Sequence, residues 1–196
     1  MKTEWKGGTM LAPVPAIMAT VGSMERANII TIGWTGIVCS EPPKTYISVR
    51  PERYSHGLLM ETKEFVINLV PAAMAEICDY CGMVTGRKGD KWQKCGLTRE
   101  ASSTVSVPRI AQSPMSLECR VTDVLQLGSH DMFLADITRV VLDESLLDEE
   151  GRLDMARAAL CCYAHGTYYA VGEMLGRFGY SMAEKKNGKN AKMRGK

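Results

Sequence analysis

The chain lacks any apolar run approaching 18 residues, the length a membrane-spanning helix needs. Its first residues, Met1-Lys2-Thr3-Glu4-Trp5-Lys6, lead into no hydrophobic signal segment, so no membrane association is expected and a cytoplasmic location is. It carries no Gly-x-Gly-x-x-Gly fingerprint and no Walker-type phosphate loop, which disfavours Rossmann and P-loop chemistry. A Gly-x-Ser-x-Gly elbow is also missing. Its three histidines, His56, His130 and His165, are too few and too scattered for a histidine-rich metal cage. Cys78-Asp79-Tyr80-Cys81 is the one CxxC; a second at zinc-ribbon spacing is absent, and Cys95 alone is a poor third ligand. The pair falls at the end of a predicted helix, whereas a thioredoxin-like dithiol opens one. No metal site is therefore expected. Seven cysteines, an odd count in an unexported chain, suit reduced thiols.

What is present fits one globular domain: 196 residues, 45 % of them apolar. Net charge is +2, but residues 184–196 alone carry +5, leaving −3 for the preceding 183. That body offers no nucleic-acid footprint. Residues 184–196 read as a basic flexible tail and residues 1–183 as the domain.

Residues 13–22 and 26–32 are short apolar segments broken at Gly22 and Ser23, which suits two strands and a turn. Trp34-Thr35-Gly36 opens a small-residue stretch that Pro42 and Pro43 stop. In 44–50, Thr45, Ile47 and Val49 alternate with Tyr46, Ser48 and Arg50, giving a strand with one polar face. A short helix over 54–62, a strand over 65–70 and a second helix over 72–81 follow, the last ending at Gly82. Residues 83–104 are a long excursion rich in glycine and charge. Leu117, Cys119 and Val121 then alternate with Glu118, Arg120 and Thr122. Gly128-Ser129-His130-Asp131 reads as a hairpin tip before the β-rich run 132–142. Residues 152–164 are helix-compatible or irregular, and 168–172 a last short strand.

The region from Asn28 to Ser55 holds hydroxyls, amides and backbone-exposing glycine, with Arg50 on the polar strand face. Convergent donors and a permanently charged guanidinium are what phosphate recognition requires. A small-residue loop that admits backbone contacts suits a flat ring. A polar barrel rim with a solvated arginine has the same composition, so composition does not identify the ligand.

The run from Ala27 to Pro43, ANIITIGWTGIVCSEPP, resembles the flavin reductase-like family, especially its flavoredoxin branch. So do Ile47 to Ser55 (ISVRPERYS) and Glu64 to Leu69 (EFVINL). The resemblance resumes at Asp79 to Gly82, Thr85-Gly86-Arg87, Asp90-Lys91-Trp92, Gly128-Ser129-His130 and Tyr168 to Glu173, in consistent order over most of residues 13–180. It implies a mainly β fold, an FMN-binding split β-barrel of antiparallel strands with short peripheral helices, and a homodimer with non-covalent FMN near the subunit interface. It places Asn28, Thr31, Trp34, Thr35 and the loop Val38, Cys39, Ser40 along the flavin. Arg50 and Ser55 hold its phosphate or ribityl end, and Thr85, Gly86, Arg87 and Lys91 come in from the excursion. Thr85 stands where the family usually has serine, and Trp92 where phenylalanine is commoner. The implied activity passes electrons from NADH, NADPH or a redox protein through FMN to an acceptor. His130 is the candidate for acid–base work or nicotinamide positioning, with a plain turn residue as the alternative. A non-catalytic FMN-binding electron carrier and a flavin-free interaction barrel are the competing function classes.

Overall fold

The computed structural model describes residues 1–182. The N-terminal apolar segments form β1 (Val14–Pro15), β2 (Ile17–Val21) and β3 (Asn28–Ile32), and a two-residue link leads to β4 (Thr35–Cys39). Next come β5 (Lys44–Val49), α1 (Tyr54–Thr62), β6 (Glu64–Leu69), α2 (Ala75–Met83) and the one-turn α3 (Lys91–Lys94). β7 (Arg99–Glu100) pairs with β8 (Arg109–Ile110), and β9 (Met115–Gln126) with β10 (Asp131–Leu142) in a long ribbon. β11 (Cys161–Ala164) and β12 (Thr167–Ala170) make the last hairpin.

Seven strands form one antiparallel sheet in the order β3-β2-β6-β9-β10-β5-β4. Its two edge strands, β3 and β4, are joined by Gly33 and Trp34 alone. Laid flat, six inter-strand steps of about 4.8 Å would part those edges by roughly 29 Å. A two-residue link reaches only about 10 Å. The sheet must therefore curl, and Ser48 N donates to Trp34 O at 2.9 Å, extending the β4–β5 ladder back to the link itself. A mainly β, half-barrel fold with short peripheral helices results.

Periodicity decides the core. Ile17, Ala19 and Val21 of β2 point into the barrel with Ile30, Ile47, Phe65 and Phe133, under Leu58 and Leu59 of α1. Ala16 and Met18 face the other way, against Cys78 and Cys81 of α2 and Trp92 of α3. β2 is buried on both faces, which is why it reads as continuous apolar sequence.

Three local readings change. α2 runs through Gly82 to Met83 instead of stopping before it. Part of the segment 152–164, read as helical or irregular, pairs as β11 because Cys161 N bonds Val70 O and Val14 lies opposite Tyr163. Glu118, on the polar face with Arg120 and Thr122, is fully buried. The segment 101–108 covers that face and brings donors: Ser103 N (2.9 Å), Thr104 N (2.7 Å) and Thr104 Oγ1 (2.6 Å) all reach the carboxylate. Burial opposes ionisation, but these bonds with Arg109 nearby hold Glu118 below the usual carboxylate range. The predicted tail, 184–196, lies outside the described residues. Among the described residues, no helix is long and apolar enough to cross a membrane.

Candidate functional site

Curling leaves a mouth beside the β3–β4 link, and the β11–β12 hairpin stands over it. A cavity of about 460 Å³ opens there, within the usual range for small-molecule sites. Thr31, Trp34, Ser48 and Arg50 enter from the barrel rim, Arg53 from the turn after β5, and Gly82 from α2. His130 arrives from the β9–β10 tip, and Tyr163 and Tyr168 from the last hairpin.

One wall is aromatic. Tyr163 and Tyr168 are cross-strand partners with rings 5.3 Å apart at 66°, and Trp34 lines the same cavity. The lining also carries two cations, Arg50 and Arg53. Arg50 is half exposed and, among the described residues, makes one ion-pair contact, a long one of 3.8 Å to Glu52. Arg53 Nη1 donates to Gly82 O at 3.2 Å, fixing the guanidinium beside α2. Burial, with Arg50 and Arg53 nearby, lowers the His130 pKa and so favours the neutral ring. Its Nδ1 lies 2.9 Å from Ser129 Oγ. Burial also pushes the Tyr168 phenol up, and Asp79 beside it adds to the shift.

Close approach of α2 to β3 shapes the floor. A Cβ on Gly82 would stand 3.1 Å from Thr31 Cβ, and the Thr31 hydroxyl donates to Cys78 O. A narrow cleft adjoins the cavity, sharing Ile30, Arg53 and Gly82 with it. Asn28, Ser55, Thr85, Gly86 and Lys91 meet there. Asn28 Nδ2 donates to Ser55 Oγ at 2.8 Å. A Cβ on Gly86 would press into the Asn28 amide and lie 2.6 Å from Tyr54 Cδ1. Lys91 is buried, and its ammonium donates to Ile29 O and Cys81 O, both at 2.7 Å.

Of the residues singled out from sequence, Thr31, Trp34, Arg50 and His130 thus share the cavity, and Asn28, Ser55, Thr85, Gly86 and Lys91 share the cleft. Thr35, Val38, Cys39, Ser40 and Arg87 line neither. Thr35 Oγ1 bonds Tyr46 O at 2.6 Å, Cys39 Sγ bonds Glu41 O, and Val38, Ser40 and Arg87 face solvent. Arg53, Ser48, Tyr163 and Tyr168 were missed as site residues. Two signals were available: Arg53 stands three residues past Arg50 around Pro51, and the two tyrosines flank the turn at His165-Gly166. The CxxC thiols are not poised for chemistry, since burial pushes Cys78 and Cys81 up to about 12.

A family model described as "Flavin reductase like domain" matches residues 9–172. The chain belongs to the flavin reductase-like family. Flavoredoxin of Desulfovibrio vulgaris (Miyazaki F) superposes with a TM-score of 0.84 at 30 % identity, over 90 % of this chain and 97 % of that one. An FMN-binding protein from Thermus thermophilus gives 0.76 at 25 % identity, over 90 % and 99 %. In sequence, an NADPH-flavin oxidoreductase of Streptomyces viridifaciens is 24 % identical over 136 residues, 68 % of this chain and 69 % of that protein. The match spans β1 through β12, so every element that lines the cavity of this flavin reductase-like chain falls within it.

Proposed function

We propose that this protein is an FMN-dependent oxidoreductase that takes electrons from NADH, NADPH or a redox protein and passes them to an acceptor. The observation that carries the reading is a single cavity lined by both three aromatic side chains and two arginines. The residues fit the group. Trp34, Tyr163 and Tyr168 provide flat apolar surface for a ring system, while Arg50 and Arg53 provide charge for a phosphate. Gly82 lets α2 pack closely on Thr31, and Gly86 lets its turn pack on Asn28 and Tyr54, which holds the walls of cavity and cleft together.

When bound, FMN supplies the ring that accepts hydride and returns electrons; the protein's task is to hold, orient and shield it. Arg50 and Arg53 bind the phosphate by charge-assisted hydrogen bonds. The buried Asn28–Ser55 pair and Lys91 keep the cleft walls fixed, so that orientation is set before binding. His130, its pKa lowered and its Nδ1 beside Ser129 Oγ, is suited to take up a proton at Nε2 and to return it once charged. The same reading seats a second copy against β4, where Ile37 and Val38 are half or more exposed and the proposed flavin contacts Val38, Cys39 and Ser40 lie at the edge. The homodimer would complete the flavin's surroundings from that side.

The test is FMN and riboflavin titration of wild type and Arg50→Ala, followed by anaerobic addition of NADH or NADPH. FMN should bind and bleach rapidly. Arg50→Ala should weaken FMN about ten- to hundred-fold, matching about 1.5–3 kcal/mol for a charge-assisted bond, and leave riboflavin nearly unchanged. Equal small losses for both ligands would remove the phosphate assignment. Bound FMN that neither nicotinamide nor a reduced redox protein bleaches would make the protein a non-catalytic flavin carrier.

A further inference from the structure

A second cavity, of about 300 Å³, adjoins the first along Trp34, Tyr163 and Gly166, which line both. Its remaining walls come from the segment ahead of β1, chiefly Met10 and Leu11, from Val14 of β1, and from His165 at the β11–β12 turn. None of its lining residues is Asp, Glu, Lys or Arg. An ion there has none of these side chains to pair with, and the apolar side chains on the wall gain from covering apolar surface, so the chemistry of the walls favours a neutral occupant. Trp34 and Tyr163 present ring surface, and aromatic rings pair best with other rings in offset or edge-on contact. The His165 imidazole and the Thr9 hydroxyl are the polar side chains on the wall apart from the ring tips, enough to orient one carbonyl or hydroxyl. The volume sits at the lower end of the range of roughly 300–1,000 Å³ for ligand pockets, which limits the occupant to one or two rings.

We propose that this annex is a separate ligand site for a small, neutral aromatic molecule of one or two rings bearing a carbonyl or hydroxyl group. Binding there does not require the flavin assignment. That such a ligand serves the redox reaction does rest on it, because the two sites share Trp34, Tyr163 and Gly166. An occupant that packs on Trp34 and Tyr163 restrains the aromatic wall of the larger cavity.

The experiment is equilibrium dialysis of the full-length chain, with and without saturating FMN, using 2-acetylnaphthalene as probe and 2-naphthalenesulfonate as its anionic counterpart. One molecule of the ketone should bind per chain whether FMN is present or not, and the sulfonate should bind at least ten-fold more weakly. The double substitution Met10→Asp and Leu11→Asp places charge on the annex wall outside the core, so it should lower ketone affinity ten-fold or more at unchanged melting temperature. Fluorescence titration should show FMN affinity of that variant within two-fold of wild type. Displacement of the ketone by FMN would put it in the larger cavity and overturn the proposal. So would equal binding of the sulfonate, or indifference to the double substitution. A chain that binds no FMN yet holds the ketone in a Met10- and Leu11-dependent way would refute the flavin reading and leave the annex standing.

Discussion

Lys91→Met keeps the apolar stem of the side chain and removes its ammonium. That ammonium joins two carbonyls that have little other support. Ile29 lies on the edge strand β3, and Cys81 lies in the last turn of α2, where carbonyls have no intrahelical donor. Each 2.7 Å bond is charge-assisted and worth about 1.5–3 kcal/mol. Removing a buried cation returns part of that, since burial already lowers the Lys91 pKa. The expected net loss is about 2–4 kcal/mol, or roughly 5–15 °C in Tm for a chain of this size. The sign of the pH effect follows from the same burial. Between the depressed folded value and the ordinary 10.5, the unfolded chain binds more protons, so wild type gains stability over the variant as pH rises. Differential scanning calorimetry measures the melting shift, and fluorescence titration compares FMN with riboflavin. Both ligands should weaken together, because the β3 and α2 walls loosen as one. Unchanged melting with a loss confined to FMN would refute this reasoning and make Lys91 a direct phosphate ligand.

Glu118→Gln should cost about 2–4 kcal/mol at pH 7, because an amide cannot accept at both oxygens from Ser103 and Thr104. The depressed carboxylate contributes fully above its unfolded value near 4.5 and loses that contribution as pH falls through the folded value. Urea unfolding should therefore show the gap between wild type and variant closing below about pH 4, and a gap independent of pH would contradict it. Gly86→Ala should push the turn at 86–88 away from the Asn28 amide, lowering stability by about 1–3 kcal/mol and weakening FMN; calorimetry and titration showing neither change would mean the turn relaxes freely. His130 should titrate below its usual value of 6.5 in the flavin-free protein, and a phosphate neutralising Arg50 and Arg53 should raise it. Proton NMR of the imidazole across pH 4 to 8, with and without FMN, measures this; a pKa that FMN leaves unmoved would part His130 from the arginines.

Period-two alternation over 44–50 was enough to place Thr45, Ile47 and Val49 inside and to carry Arg50 to the rim, because side chains on a strand alternate by geometry alone. The helix over Tyr54–Thr62 and the turn at 128–131 were equally readable, being local features of propensity and glycine placement. Family resemblance in ordered motifs pointed to the half-barrel. Alternation also put Glu118 on its true face, yet could not say that the segment 101–108 would cover that face with donors. Lys91 sits beside the site in sequence order and in space, but which carbonyls take its ammonium depends on how β3 meets α2. Tyr163 and Tyr168 reach the cavity only because β11 docks on β1, more than a hundred residues earlier in the chain. The sequence by itself determined what depends on neighbours along the chain: strand faces, turns, the order of elements and the charge at the end of β5. The tertiary structure alone decided which of those faces are covered, which cations keep free charge, and how Trp34 comes to stand beside Tyr163, since burial and long-range pairing arise when the sheet closes on itself.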